Sequence, residues 1–142
     1  MFIREVDLFK GIASHIIDEI AQLAVEEVYP AGTVIFKRGD FADSLYVLED
    51  GRVDLLLRGK KRFAYPLQHP GYVFGWSALV EPNRYTTTAE CIEESKVIKL
   101  DGTRLLHVFE KHPSEGLTIM KRLAGVIGMR LDIIYQRFML AK

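Results

Sequence analysis

The chain has 142 residues, 49% of them hydrophobic and 27% charged, which is the size and balance of one compact domain rather than of two domains or a disordered tract. Lysine plus arginine and aspartate plus glutamate number 19 each, so the formal net charge is zero and no global field draws the chain to nucleic acid or an anionic membrane. The opening residues MFIREVDLFK are broken by Arg4, Glu5 and Asp7, and Cys91 is the lone cysteine; this excludes a signal-peptide core and an intramolecular disulfide. No stretch approaches the ~20 apolar residues of a membrane span, and a cytoplasmic location is expected.

In chain order, the first element is a helix expected over residues 14 to 27. Ile16, Ile20 and Ala24 lie four apart, Ile17, Ala21 and Leu23 widen the same face, and Ser14 is the candidate N-cap. The period then changes. VYPAGTVIFKRGD places alternating β-branched and aromatic residues between turns at Pro30-Gly32 and Gly39-Asp40. SLYVLEDGRVDLLLRGKK reads as two strands with a hairpin signal at Asp50-Gly51; Val53, Leu55 and Leu57 face one way, Asp54 and Arg58 the other. FAYPLQ, GYVF, TTTAEC and KVIKL continue the pattern. About six to eight short strands at this spacing indicate a β-sandwich, roll or barrel, here spanning residues 28 to 100.

Helical spacing returns after Asp101. Asp101 or Thr103 can cap a short helix carrying Leu105, Leu106, Val108 and Phe109, which must stop near His112 because Pro113 follows. A long helix then starts with Ser114 as the expected N-cap. Its apolar residues Leu117, Met120, Ala124, Ile127, Leu131, Ile134, Phe138 and Ala141 step by alternate threes and fours, an unbroken heptad register. Pairing with the same helix of a second chain is expected; burial against the β-body is the competing reading, and both can hold for different halves. Gly125 and Gly128 each cost about 1 kcal/mol of helix propensity and allow a close backbone or a hinge.

The order of elements, with LFKGI at 8 to 12 and YPAGTVIFKRGDFADSLYVLEDGRV at 29 to 53, closely resembles the cyclic-nucleotide-binding domain superfamily. That superfamily includes the effector domains of catabolite-activator-type regulators, protein kinase regulatory subunits and nucleotide-gated channels. The resemblance covers almost the whole chain as one domain, residues 1 to 142, and implies a double-stranded β-helix (jelly-roll) flanked by helices. FGWSALVEPNRYTTTAE, residues 74 to 90, falls where the family keeps its phosphate-binding cassette. The resemblance implies a ligand, cAMP or cGMP, held at Phe74, Gly75, Trp76, Ser77, Ala78 and Leu79, where a helix N-terminus offers bare amides to an anion. Arg84 would pair with the exocyclic oxygens, a contact worth about 1.5–3 kcal/mol, and Thr86 and Thr87 would offer hydroxyls. No cofactor is implied, and the expected role is regulatory rather than enzymatic.

Two positions depart from the family's cassette. Trp76 stands where the family usually has a glutamate that accepts from the ribose 2′-hydroxyl. An indole can only donate, and the lost contact costs about 1–3 kcal/mol. Trp76 lies along the ribose or base, or it fills the pocket outright and leaves an interaction module without a ligand. Counting back from Val97, moreover, Tyr85 rather than Arg84 occupies the arginine position, and a one-residue slip reverses the face. A bulge at Pro82-Asn83 is expected to return Arg84 to the pocket.

The remaining candidates are bland. His15, His69, His107 and His112 show no metal-ligand spacing, Ser77 and Cys91 have no nucleophile motif around them, Arg38-Gly39-Asp40 reads as a turn, and Lys60-Lys61-Arg62 reads as a hairpin tip. A DNA-reading module needs some tens of residues beyond the long helix, and the sequence ends at Lys142, so no DNA-binding output is expected.

Overall fold

The computed structural model describes residues 3–141. Short 3-10 turns at Ile3–Glu5 and Asp7–Phe9 lead into α1 (Ser14–Leu23), followed by β1 (Ala24–Tyr29), β2 (Val34–Phe36), β3 (Ser44–Asp50), β4 (Val53–Arg58), β5 (Arg62–Leu67) and β6 (Val73–Phe74). A 3-10 turn at Trp76–Leu79 precedes β7 (Thr88–Cys91) and β8 (Ser95–Asp101); α2 (Gly102–Lys111) and α3 (Pro113–Leu140) close the chain. The strands form two four-stranded antiparallel sheets, ordered β1-β8-β3-β6 and β2-β7-β4-β5. The expected jelly-roll with flanking helices is the fold observed.

Strand alternation explains how one sheet serves two cores. From β3 and β8, Leu45, Val47, Ile98 and Leu100 point to the helices, where they meet Phe9, Ile16, Ile20, Leu105, Phe109, Ile119 and Leu123. The intervening Tyr46, Leu48 and Val97 point the other way, into the space between the sheets with Phe36, Val53, Leu55, Phe74 and Ala89. β3 is therefore buried on both faces.

Four local expectations need correction. The helix expected over 14 to 27 stops at Leu23, since residues 24 to 29 pair with β8 as β1, and its N-cap is Ala13 rather than Ser14. Asp50-Gly51 does not close a hairpin, because β3 and β4 belong to different sheets. Gly51 is still required there: its φ is 99° and a Cβ would sit 2.5 Å from the Glu94 carbonyl. In β4, Asp54 and Leu56 are buried along with Val53 and Leu55; Arg52 holds the Asp54 carboxylate through Nε at 2.9 Å and Nη2 at 3.2 Å. Finally, α3 starts at Pro113 behind the N-cap His112, not at Ser114. The Asp101 cap of α2 forms as expected, accepting from the Arg104 N–H at 2.9 Å.

Glu19 of α1 clasps the far end of α2, accepting from Lys111 Nζ at 2.8 Å and meeting the His112 ring. Hydrogen bonds from Lys111 and then His112 hold its carboxyl below the ordinary value of 4.5. A carboxyl whose folded pKa is depressed contributes stability above its unfolded pKa, and that stability is lost as pH falls through the folded value. The wild-type melting temperature should therefore drop more steeply below about pH 4.5 than that of Glu19→Gln. Parallel melting curves for the two proteins would contradict the clasp.

Candidate functional site

The cassette is built on the end of β6 and the 3-10 turn after it. Phe74 is fully buried between the sheets and stacks on Tyr46, with ring centroids 5.2 Å apart. Gly75 caps the turn with φ 80°; a Cβ there would meet the Ser44 carbonyl at 3.1 Å and the Tyr46 ring at 3.2 Å. Only glycine combines that φ with that space. The turn itself is four residues of 3-10 helix where a short helix was expected. Ser77, Ala78 and Leu79 are buried, with Leu79 in the helix-side core and Ala78 in the inter-sheet core. Asn83, at φ 58°, ties the following loop down by donating its side-chain amide to the Ser77 carbonyl at 3.0 Å.

The register of residues 83 to 86 decides which side chain enters the pocket. Ala42 N–H donates to the Asn83 carbonyl at 2.8 Å, Tyr85 N–H to the Asp40 carbonyl at 3.0 Å, and Gly39 N–H to the Tyr85 carbonyl at 2.8 Å. Phe41 and Arg84 form the bridge between them. This ladder carries no bulge at Pro82-Asn83, so Arg84 does not enter the inner recess and borders the outer cleft instead. Arg84 is exposed, with its guanidinium 5.9 Å from the Phe41 ring. Tyr85, 4% exposed, takes the inward position. It stacks on Phe36 at 3.7 Å and 11°, donates its hydroxyl to the Ser44 carbonyl at 2.8 Å and accepts from the Ser44 N–H at 3.2 Å. Burial pushes its phenol up to about 12, so it stays a neutral donor at any physiological pH.

What remains of the inner seat is a recess of about 10 Å³ among Phe36, Leu55, Gly75, Trp76, Tyr85 and the two threonines Thr86 and Thr87, room for about one water. Outside it lies an open cleft of about 390 Å³, bordered by Arg38, Trp76, Ser77, Glu81, Arg84 and Thr86. Arg38 is anchored by donating to the Thr86 carbonyl at 2.6 Å. Trp76 is half-buried and packs toward the helices, where the Arg130 guanidinium of α3 stands 5.8 Å from its ring. Of the candidate residues, then, all but Phe74, Ala78 and Leu79 line the recess or the cleft. Sequence reasoning missed Phe36, Arg38, Ser44 and Asn83. The Arg38-Gly39-Asp40 turn was the available signal for the second cation, since a turn glycine places its neighbours at a loop mouth.

A family model described as cyclic nucleotide-binding domain matches residues 26–112. The chain belongs to this family. It is 28% identical over 127 residues to the cyclic AMP receptor protein of Thermus thermophilus, covering 87% of this chain and 56% of that protein. A crystal structure described as that of a cyclic nucleotide-binding protein from Geobacter metallireducens superposes with a TM-score of 0.80 at 29% identity, covering 90% of this chain and 94% of the other. The regulatory domain of Toxoplasma gondii PKA, solved with cAMP, shares the fold at a TM-score of 0.76 and 17% identity, over 90% of this chain and 48% of its own. The chain spans 56% and 32% of the first two curated relatives it matches. Among the described residues no helix is long and apolar enough to cross a membrane, and no cluster of metal-ligating side chains occurs.

Proposed function

We propose that the chain is a cytoplasmic, non-enzymatic regulatory module of the cyclic-nucleotide-binding type. It takes a cyclic mononucleotide or other small anion beside the Gly75–Leu79 turn and passes the change through α3 to a second copy of the chain. The observation that carries this reading is the cleft of about 390 Å³ where two arginines, Arg38 and Arg84, stand with the hydroxyl residues Ser77 and Thr86. The family's ligand chemistry, a single negative group beside guanidinium and hydroxyl donors, matches that set. The inner recess has no room for a phosphate, so the ligand binds in the outer cleft or displaces Tyr85. Displacement breaks two hydrogen bonds and a ring stack, a cost of about 2–4 kcal/mol. Affinity by that route is therefore weak, with a dissociation constant of about 30 µM to 1 mM against the micromolar value of an intact site.

A second reading has its own observation. Tyr85 is buried, stacked and doubly hydrogen-bonded where a ligand would lie, with Trp76 beside it, which suits an interaction module that needs no ligand. Titration calorimetry with cAMP and cGMP separates the two. Weak saturable binding that falls at least threefold in Arg84→Ala supports the regulatory module with a ligand. No heat up to about 5 mM ligand, together with Trp76 fluorescence that ignores both nucleotides, leaves the ligand-free module.

A further inference from the structure

Three arginines of α3 turn back onto the domain: Arg122 onto the N-terminal segment, Arg130 and Arg137 onto the β-body. Arg122 spends its Nη1 on the carbonyls of Leu8 at 3.2 Å and Lys10 at 2.6 Å. Arg137 donates to the Ala64 carbonyl at 3.1 Å. The middle one is the most deeply placed, at 5% exposure, and among the described residues its Nη1 has no hydrogen-bond partner. The rings of Trp76, Tyr65 and Tyr72 surround its guanidinium at 5.8, 5.9 and 6.0 Å. These ring faces supply part of what water would give a cation, but they accept no conventional hydrogen bond from Nη1. A buried donor without a partner is rare and costly, and it calls for an occupant.

The guanidinium borders a cavity of about 300 Å³, at the lower end of the size range of small-molecule sites, between α3 and the β5–β6 connection. Its walls are mainly apolar, with Leu8, Val73, Val126, Met129 and Ile133 lining it together with the two tyrosines. The one acidic side chain on the lining, Asp7, is 89% exposed and neutralised by Lys10 at 2.7 Å. Tyr72, 42% exposed and edge-on to His69, is the most exposed of the three rings around the guanidinium and the wall a molecule would have to move to reach Nη1. The lining thus pairs one strong, planar, forked cation with a greasy chamber.

We propose that this cavity is a second ligand site, in which Arg130 binds the carboxylate of a small amphipathic monocarboxylic acid whose apolar body lies against Val126, Met129 and Ile133. A single guanidinium matches a planar monoanion through two parallel hydrogen bonds. Inorganic phosphate, more highly charged and more strongly hydrated, finds no further donors in apolar walls. Burial lowers the Arg130 pKa, with Tyr65 and Tyr72 acting in the opposite sense, and an arriving carboxylate removes that penalty by pairing. The cavity lining contains no cassette residue, only the ring of Trp76 standing beside the guanidinium, and the site stands whether or not a nucleotide binds at the cassette. Its occupant would nonetheless be felt at the cassette, because Arg130 touches Trp76.

The lone tryptophan makes the test direct. Benzoate, hexanoate, neutral benzamide and inorganic phosphate are titrated into the full chain, with and without cAMP, while Trp76 emission and calorimetric heat are followed. Saturable shifts with benzoate or hexanoate, at least tenfold weaker with benzamide and with phosphate, are expected. Arg130→Met should fold, since an apolar residue of similar length relieves a buried unpaired charge, and should lose at least tenfold in affinity for the carboxylates. Val126→Phe, which fills the chamber and keeps the arginine, should lose binding as well and covers the case in which Arg130→Met does not fold. No saturable response, a response unchanged in either folded variant, or phosphate binding as tightly as benzoate overturns the proposal.

Discussion

The double variant Trp76→Glu, Tyr85→Arg is expected to bind cAMP about 100- to 1,000-fold more tightly than the wild-type chain. Tyr85 already projects into the inner recess from a register fixed by three backbone hydrogen bonds to residues 39–42. An arginine at that position therefore enters the seat without any shift of the strand. The glutamate restores the acceptor for a ribose hydroxyl that an indole cannot supply, and it empties volume beside Ser77. Each recovered charge-assisted contact is worth about 1.5–3 kcal/mol, so the pair supplies about 3–6 kcal/mol without mutual strain and about 3–4 kcal/mol once strain is subtracted, or two to three decades of affinity. The side chains line one recess, so the single variants should not sum to the double. Without ligand the double variant should melt lower than wild type, because it loses the Phe36 stack and leaves a guanidinium unpaired. Saturating cAMP at 100 times the dissociation constant should return about 2.7 kcal/mol. A folded double variant that gives no heat at millimolar cAMP would show that the seat lies elsewhere.

The fold was legible because its signals are local. The apolar, β-branched runs in SLYVLED and VDLLLR, the Asp101 cap and the Pro113 stop each act within a few residues. The caps of α1 and α3 were misplaced by only one or two residues; the larger misreadings share one cause, a distant partner overriding a local pattern. Ala24 continues the four-residue spacing of Ile16 and Ile20, but pairing with Leu100 on β8 converts residues 24 to 29 to strand. Asp50-Gly51 has hairpin chemistry, yet the packing of Gly51 against Glu94 and Ser95 turns the chain from one sheet to the other. Whether Arg84 or Tyr85 points inward depends on hydrogen bonds to a segment more than 40 residues earlier, and no periodicity encodes that offset. Arg130 was invisible for a related reason. In the heptad reading it is a polar flank beside Leu131, and only the rings of β5, the Tyr72 loop and Trp76 make it interior.

That heptad reading leads to the second large effect. The stripe of α3 that packs on its own domain is Gly116, Ile119, Leu123, Val126 and Arg130, and the expected seam is split beside it: Met120 and Ile127 also pack against that core, whereas Leu117, Ala124, Leu131 and Phe138 do not. Those four remain exposed, with Leu131 at 43% and Phe138 at 81%. A helix that buries one apolar stripe and leaves a second in register beside it has a face for another helix, and Gly125 and Gly128, with open space over their Cα positions, let that helix approach closely. Leu131→Glu with Phe138→Glu should therefore convert a dimer into a monomer. Burying the carboxylates of both chains in an apolar seam costs more than about 3 kcal/mol per dimer, which weakens association at least 100-fold. Neither residue belongs to the buried core, so the melting temperature extrapolated to low protein concentration should stay within a few degrees of wild type. Sedimentation velocity across a concentration series reads the result. A wild-type chain that stays monomeric at hundreds of micromolar removes the paired helix, and with it the route by which an occupied cassette reaches a second copy.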